Sequence, residues 1–211
     1  MKRNKRIAII GGNGKAGRFV AQQALEKGYL VRMLVRDPQK STRSGEQIEM
    51  VKGDAQDISA IQTLLEGCDV VINTLGQPNK ATPIYSIVTS HILAVMKNMG
   101  IKRYITVTGG SLNAPGDKRP LYNKIAVFIF SWIYAEMLKD KKKELQILLE
   151  SDADWTLVRL PFIVEEPATG IIKVNLQKMP GMKMTNSDIA NFLISQISDN
   201  QYIRKYPFIS N

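Results

Sequence analysis

A short β-branched run, Ile7-Ala-Ile-Ile10, breaks into Gly11-Gly-Asn-Gly14, and a helical pattern opens at Gly17 with Phe19, Val20, Ala24 and Leu25. Buried strand, glycine turn and helix N-terminus in direct succession leave few folds open. The first N–H groups of a helix have no partner within it, and the positive end of its dipole points the same way, so such a turn is a ready anion cradle. Gly11 permits the tight turn, Gly14 lets the backbone approach a pyrophosphate, and Gly17 lets the helix pack against the strand. Lys15 and Ala16 complete the turn. The glycines fit both G-x-x-G-x-x-G (11, 14, 17) and G-x-G-x-x-G (12, 14, 17), on the first strand of a βαβ unit. The alternative is a tight βα turn that holds no ligand.

The segments that follow alternate in the same way. Tyr29–Val35 reads as a second strand closing on Arg36-Asp37-Pro38. In dinucleotide folds the residue closing this strand meets the adenosine ribose, about 20 residues past the glycines. Arg36 there can pair with a 2′-phosphate, with Lys40 as a second positive charge, which favours NADP(H). An inward Asp37 would instead favour NAD, and an Arg36 that only ends an exposed strand would read nothing. Ile48–Val51 with Lys52-Gly-Asp54 is a third strand whose end brings Asp54 near the adenine. Asp57 caps the next helix, with Ile58, Ile61, Leu64 and Leu65 on one face. Asp69–Ile72 is the fourth strand, ending in Asn73-Thr-Leu-Gly76.

The next helix carries the apolar stripe Ile84, Ile87, Val88, Ile92, Val95, Met96 and Met99. The single histidine, His91, falls among these residues and reads as a hydrogen-bonded core histidine rather than a catalytic group. Lys102–Val107 is the fifth strand, running into Thr108-Gly-Gly-Ser-Leu112. A loop at 113–120 and a helical region from about Leu121 to Glu150 follow. The aromatic cluster Phe128, Phe130, Trp132 and Tyr134 in that region suits core or a dimer interface, or a lid over a flat aromatic substrate. Asp154–Arg159 is the sixth strand, with Leu160-Pro-Phe-Ile163 at its exit. Ile171–Leu176 is a short extra strand, and Thr185 to Asp188 cap a last helix with Ile189, Phe192, Leu193 and Ile197 inward. The pattern predicts a Rossmann-like, doubly wound parallel α/β sheet. Residues 1–211 form one domain, with a substrate-side region at about 113–135 and 160–186.

Lys and Arg outnumber Asp and Glu by 29 to 19, a net charge of +10, partly concentrated in Met1–Arg6 and Lys139–Lys143. No recognition-helix, RNA-binding or zinc-finger pattern accompanies the charge, so a solvated tail and helix face are expected rather than nucleic-acid binding. The apolar run before Gly11 is too short for a signal peptide, and Ile125–Ala135 is too short to span a bilayer. A soluble cytoplasmic protein without membrane contact is expected. Cys68 is the one cysteine, leaving neither an internal disulfide nor a cysteine metal cluster.

Gly11-Gly-Asn-Gly-Lys-Ala-Gly17, Leu34-Val-Arg-Asp37, Lys52-Gly-Asp54, Asp69-Val-Val-Ile-Asn-Thr-Leu-Gly76, Leu148-Leu-Glu-Ser151 with Trp155-Thr-Leu-Val-Arg159, and Pro161 carry a resemblance that covers nearly the whole chain. The chain resembles an atypical short-chain dehydrogenase/reductase of the NAD(P)-binding, NmrA-like branch. It is most similar to the biliverdin-IXβ/flavin reductase family and to bacterial proteins called NADH-flavin reductases. The resemblance implies that Asn13, Gly14, Lys15 and Ala16 bind pyrophosphate, Arg36 and Lys40 the 2′-phosphate, and Asp54 and Ala55 the adenine. It further implies that Leu75 and Gly76 flank the ribose, while Thr108, Gly109, Gly110, Ser111, Pro161, Phe162 and Ile163 lie near the nicotinamide. Two departures limit it. Gly109 stands where the biliverdin/flavin reductases have a serine, and Phe162 where they have a histidine.

Alcohol dehydrogenases of this kind use a Tyr-x-x-x-Lys pair. Tyr122 lies two residues before Lys124 and Tyr134 five before Lys139, and neither spacing fits. A carbonyl accepting hydride needs a general acid, whereas a flavin or quinone spreads the charge and takes its proton from water. The expectation is therefore an NAD(P)H-dependent reductase acting on a flat conjugated acceptor, with Ser111 as the candidate catalytic residue, orienting the acceptor rather than protonating it. A non-catalytic NADP-binding redox sensor is the alternative reading. Either a monomer or a homodimer is compatible with the chain.

Overall fold

The computed structural model describes residues 4–40, 48–76, 81–118 and 134–211. Of the expectations above, the Met1–Arg3 start, the aromatic cluster at 128–132, the apolar stretch at 125–133, Tyr122 and Lys124 lie outside these residues. The Lys40 side chain does so too.

Strands β1 (Arg6–Ile10), β2 (Leu30–Val35), β3 (Ile48–Lys52), β4 (Val70–Asn73), β5 (Arg103–Gly109) and β6 (Asp154–Leu160) are interleaved with four α-helices, and β2 is followed by a short 3-10 turn at Pro38–Lys40. The helices are α1 (Gly17–Glu26) after β1, α2 (Ile58–Leu65) after β3, α3 (Tyr85–Met99) after β4 and α4 (Ala135–Glu150) before β6. After β6 come β7 (Phe162–Val164), β8 (Lys173–Asn175), β9 (Lys183–Thr185), α5 (Asn186–Ser195) and β10 (Phe208–Ser210). An eight-stranded sheet runs β3-β2-β1-β4-β5-β6-β10-β8, and β7 and β9 pair separately. Pairing is parallel from β3 through β10, in registers such as Ile10↔Asn73 and Gly109↔Leu160, and only β8 is antiparallel. The sheet is doubly wound, with its order reversing between β1 and β4.

The central strands are buried on both faces, as their near-continuous apolar runs require. One core layer joins Ala8, Ile10, Val71, Tyr104 and Trp155 to α2, α3 and α4; the other joins Ile7, Ile9, Ile72, Ile105 and Val158 to α1 and α5. The Asp57 and Thr185 side chains cap α2 and α5 by accepting from Ser59 N and Asp188 N. Ile189, Phe192, Leu193 and Ile197 are buried as expected.

Several local expectations are corrected. Ile58 and Ile87 are 45% and 48% exposed. Ile87 precedes the buried Val88 by one residue, about 100° round the helix, which takes it off the packed face. His91 is half-buried rather than in the core, and its Nδ1 has no partner among the described residues. Lys141, read as part of a solvated basic face, is buried against Glu144 at 3.0 Å. The extra strand is three residues long rather than six, and it joins the sheet through β10, a strand with no strong signal of its own.

Arg159 on β6 is fully buried and bonds both carboxylate oxygens of Asp117 at 2.7 Å. It also donates to the carbonyls of Tyr206 and Leu176 and stacks over Phe208 at 3.4 Å. The pair ties the loop after β5 to the sheet's far edge. Removing one partner of such a buried pair costs about 3–5 kcal/mol, because a charge is left without compensation. Asp117→Ala is expected to lower unfolding free energy by about that amount in urea denaturation; a change below about 1 kcal/mol would show the pair is not a clamp.

Candidate dinucleotide site

The expected site residues sit at the carboxyl ends of consecutive parallel strands: Gly11 to Gly17 after β1, Arg36 after β2, and Asp54 and Ala55 after β3. Leu75 and Gly76 follow β4, Thr108 and Gly109 end β5 with Gly110 and Ser111 beyond, and Pro161, Phe162 and Ile163 follow β6. Open α/β sheets bind ligands along this edge, at the point where strand order reverses. Here that point lies between Gly11 and Thr74-Leu75.

The three glycines do different work. Gly11 has φ +78°, and a Cβ there would lie 2.7 Å from the Thr74 and Leu75 backbone. A Cβ at Gly17 would overlap the Gly11 carbonyl oxygen and come within 2.7 Å of Thr74 Oγ1. Both glycines are demanded by the protein's own packing. Gly14 is exposed, and a Cβ there would meet only the Gly11 carbonyl oxygen, at 3.1 Å. The missing side chain at Gly14 therefore leaves space outside the protein.

The start of α1 fits an anion. Its first turn holds no acidic residue, and Ala16 at the cap offers no side-chain acceptor. Gly14 N–H is spent on Gly11 O at 2.9 Å, whereas the N–H groups of Lys15 and Ala16 make no bond among the described residues. Lys15 and Asn13 are exposed beside them.

Arg36 is exposed and makes no ion pair or hydrogen bond among the described residues. Asp37 is half-buried, its Oδ1 accepting from Gln39 N at 3.1 Å in a local turn. Asp54 is exposed, with Oδ1 accepting from Gln56 N, and Ala55 is buried behind it. Thr108 is buried within β5, and Gly110 N–H donates to Leu160 O at 2.7 Å, joining the β5 and β6 exits. Ser111 and Pro161 are half-buried at this junction, while Phe162 and Ile163 are 74% and 38% exposed. Cys68 is remote from this edge; burial pushes its thiol up to about 11, and its Sγ donates to Leu64 O.

Two residues outside the expected set shape the site. Thr74 Oγ1 donates to Ile10 O at 3.1 Å and Gly11 O at 3.3 Å, binding the β4 exit to the glycine turn. Asn73 Oδ1 accepts from Leu75 N at 3.0 Å and fixes the next turn. Their signal was visible as two polar residues directly behind the apolar run of β4. Among the described residues no cluster of His, Cys, Asp and Glu could hold a metal, and no helix is long and apolar enough to cross a membrane.

A family model described as NAD(P)H-binding matches residues 11–200. "Probable pinoresinol-lariciresinol reductase 3" of Arabidopsis thaliana is 23% identical over 228 residues, covering 99% of this chain and 68% of that protein. Eugenol synthase 1 of Petunia hybrida is 31% identical over 114 residues, covering 49% of this chain and 35% of its own. A short-chain dehydrogenase/reductase of Veillonella parvula, solved in complex with NADP, superposes with a TM-score of 0.80 at 15% identity, covering 99% of this chain and 95% of its own.

The glycines can be separated by experiment. Gly14→Val is expected to abolish NADPH binding in calorimetry while the circular dichroism stays unchanged. Gly17→Ala is expected to lower stability by about 1–3 kcal/mol through overpacking. Unchanged NADPH affinity in a folded Gly14→Val protein would contradict the cradle.

Proposed function

The chain belongs to the NAD(P)H-binding family, and from that premise we propose that it is an NADPH-dependent reductase of a flat conjugated acceptor, a flavin or a quinone. The single observation that carries the acceptor class is the make-up of the β5 and β6 exits. Among the described residues they offer glycines, one serine hydroxyl and an exposed aromatic ring, with no acid to protonate an alkoxide. The free N–H groups at the start of α1 hold the pyrophosphate, and the exposed Arg36 takes the 2′-phosphate. The exposed Arg36 at the ribose end of β2 supports NADPH over NADH. Asp54 and Ala55 border the adenine, and Leu75 and Gly76 the ribose.

When bound, the nicotinamide supplies the hydride. The chain's own share is to position and to exclude. Gly109 leaves the β5 exit bare, Pro161 stiffens the β6 exit, Phe162 offers a stacking face and Ser111 orients a polar edge of the acceptor. A conjugated acceptor takes its proton from water, so the reaction needs no Tyr-x-x-x-Lys pair. The wider likeness to biliverdin-IXβ and flavin reductases supports this reading, although tetrapyrrole reduction itself is disfavoured by Gly109 and Phe162 at the two departing positions.

Steady-state NADPH oxidation with FMN, FAD, riboflavin and several quinones, beside a no-enzyme control, tests the reading. Turnover supports it. Tight NADPH binding with no turnover would replace it with a redox-sensing protein. For the cofactor, Arg36→Ala is expected to weaken NADPH relative to NADH by about ten-fold or more, as loss of a charge-assisted bond implies. Equal losses for both cofactors would show that Arg36 does not read the phosphate.

A further inference from the structure

A buried line of hydrogen bonds starts at the turn after β4 and runs between the helices. Leu75 N–H donates to Asn73 Oδ1 at 3.0 Å, and Asn73 Nδ2 donates to Tyr104 Oη at 3.0 Å. Tyr104 Oη lies 3.3 Å from Thr89 Oγ1, and Thr89 Oγ1 donates to Glu144 Oε1 at 3.0 Å. Lys141 Nζ closes the line on Glu144 Oε2 at 3.0 Å and sits 3.4 Å above the Tyr85 ring. Relative exposures are 3% for Asn73, 0% for Thr89 and Tyr104, 1% for Glu144 and 8% for Lys141. No part of the proposed chemistry uses Tyr104, Thr89, Glu144 or Lys141.

The two ends of the line have fixed directions. A carboxylate only accepts and a backbone N–H only donates. Thr89 has a single hydroxyl hydrogen, which goes to Glu144, so the Tyr104 hydroxyl hydrogen goes to Thr89 or to the Thr106 hydroxyl, which also bonds it. Burial and the Glu144 charge hold the Tyr104 phenol up at about 12, keeping that hydrogen in place. With its hydrogen spent, Tyr104 Oη can only accept from Asn73 Nδ2. Asn73 is thereby locked with Oδ1 toward Leu75. An amide flip would set Nδ2 against the Leu75 N–H, donor to donor.

We infer that Tyr104, Thr89 and Glu144 are positioning residues that orient the Asn73 amide and so hold the Thr74-Leu75-Gly76 turn in its dinucleotide-binding shape. This rests on the reading that Leu75 and Gly76 border the ribose. The buried ion pair at the far end anchors the line: Lys141 Nζ donates to Glu144 Oε2 while Glu144 Oε1 accepts from Thr89. A hydrophobic substitute of equal volume would fill the space but set no direction.

Thr89→Val keeps the shape and removes the hydroxyl, while Thr89→Ser keeps the hydroxyl and removes the methyl group. The test measures three things on the full chain: thermal midpoint, hydrogen exchange at the Leu75 amide, and NADPH affinity by calorimetry. Thr89→Val is expected to speed Leu75 exchange and weaken NADPH about ten-fold, the effect of one lost buried bond. Thr89→Ser is expected to bind like the wild type even where its midpoint falls. If Thr89→Val does not fold, Tyr104→Phe cuts the same line and is expected to give the same two changes. Equal Leu75 exchange and equal NADPH affinity in the Val and Ser variants would overturn the inference. Gly76→Leu separates this from the reading beneath it, because among the described residues no atom lies within 4 Å of a Cβ there. Loss of NADPH binding in Gly76→Leu alongside an unaffected Thr89→Val overturns the positioning role alone. Full binding in Gly76→Leu removes the turn from the site and overturns both.

Discussion

The contact on which the rest of the structure depends is the meeting of Gly11, Gly17 and Thr74. A Cβ at Gly11 would lie 2.7 Å from the Thr74 and Leu75 backbone, and one at Gly17 would overlap the Gly11 carbonyl oxygen. The exit of β1, the start of α1 and the exit of β4 can share that space only because two positions lack side chains. Thr74 then bonds the Ile10 and Gly11 carbonyls and closes the junction. Two consequences follow from this one approach. It sets the start of α1, where the Lys15 and Ala16 N–H groups have no partner among the described residues, beside the gap where the strand order reverses, and it draws the Leu75-Gly76 turn up to the same gap.

A second constraint is where the charges go. Arg32, Arg103 and Arg159 are buried within strands, and each donates to backbone carbonyls: Arg32 to the end of α2, Arg103 to Asp154 and Gln196, Arg159 to Tyr206 and Leu176. A guanidinium suits this use, since its several donors satisfy carbonyls that a helix or strand end leaves open. Part of the +10 charge is thus structural mortar and unavailable to a ligand. The exposed Lys15 and Arg36 at the strand ends are a different population. They meet no partner of their own among the described residues, as a site for a polyanion requires.

The strand and helix order was legible because buried parallel strands write themselves as apolar runs and glycines punctuate them. Cap residues were legible for the same local reason: Asp57 and Thr185 bond N–H groups two or three residues ahead. What could not be read was anything decided by partners distant in sequence. Lys141 stands in a run of lysines, and only the packing of α3 on α4 turns it inward to Glu144. Phe208–Ser210 is too short to announce a strand until β6 and β8 bracket it. At the candidate site, the glycine fingerprint marked the loop between β1 and α1, but the separation of packing glycines from the exposed Gly14 required the Thr74 contact. Asn73 was visible only as a polar residue at a strand end, since its meaning comes from Tyr104, 31 residues away.

The central claim is that this edge holds a nicotinamide in one fixed pose against a flat acceptor without a protein acid. Single-turnover reduction of FMN or a quinone by NADPH deuterated on one face or the other of nicotinamide C4 tests it most directly, followed across neutral pH. The account predicts label loss from one face only, a primary isotope effect for that isomer alone, and a hydride-transfer rate that does not change with pH. Label loss from both faces, or a rate that collapses with the titration of a single group, would contradict it.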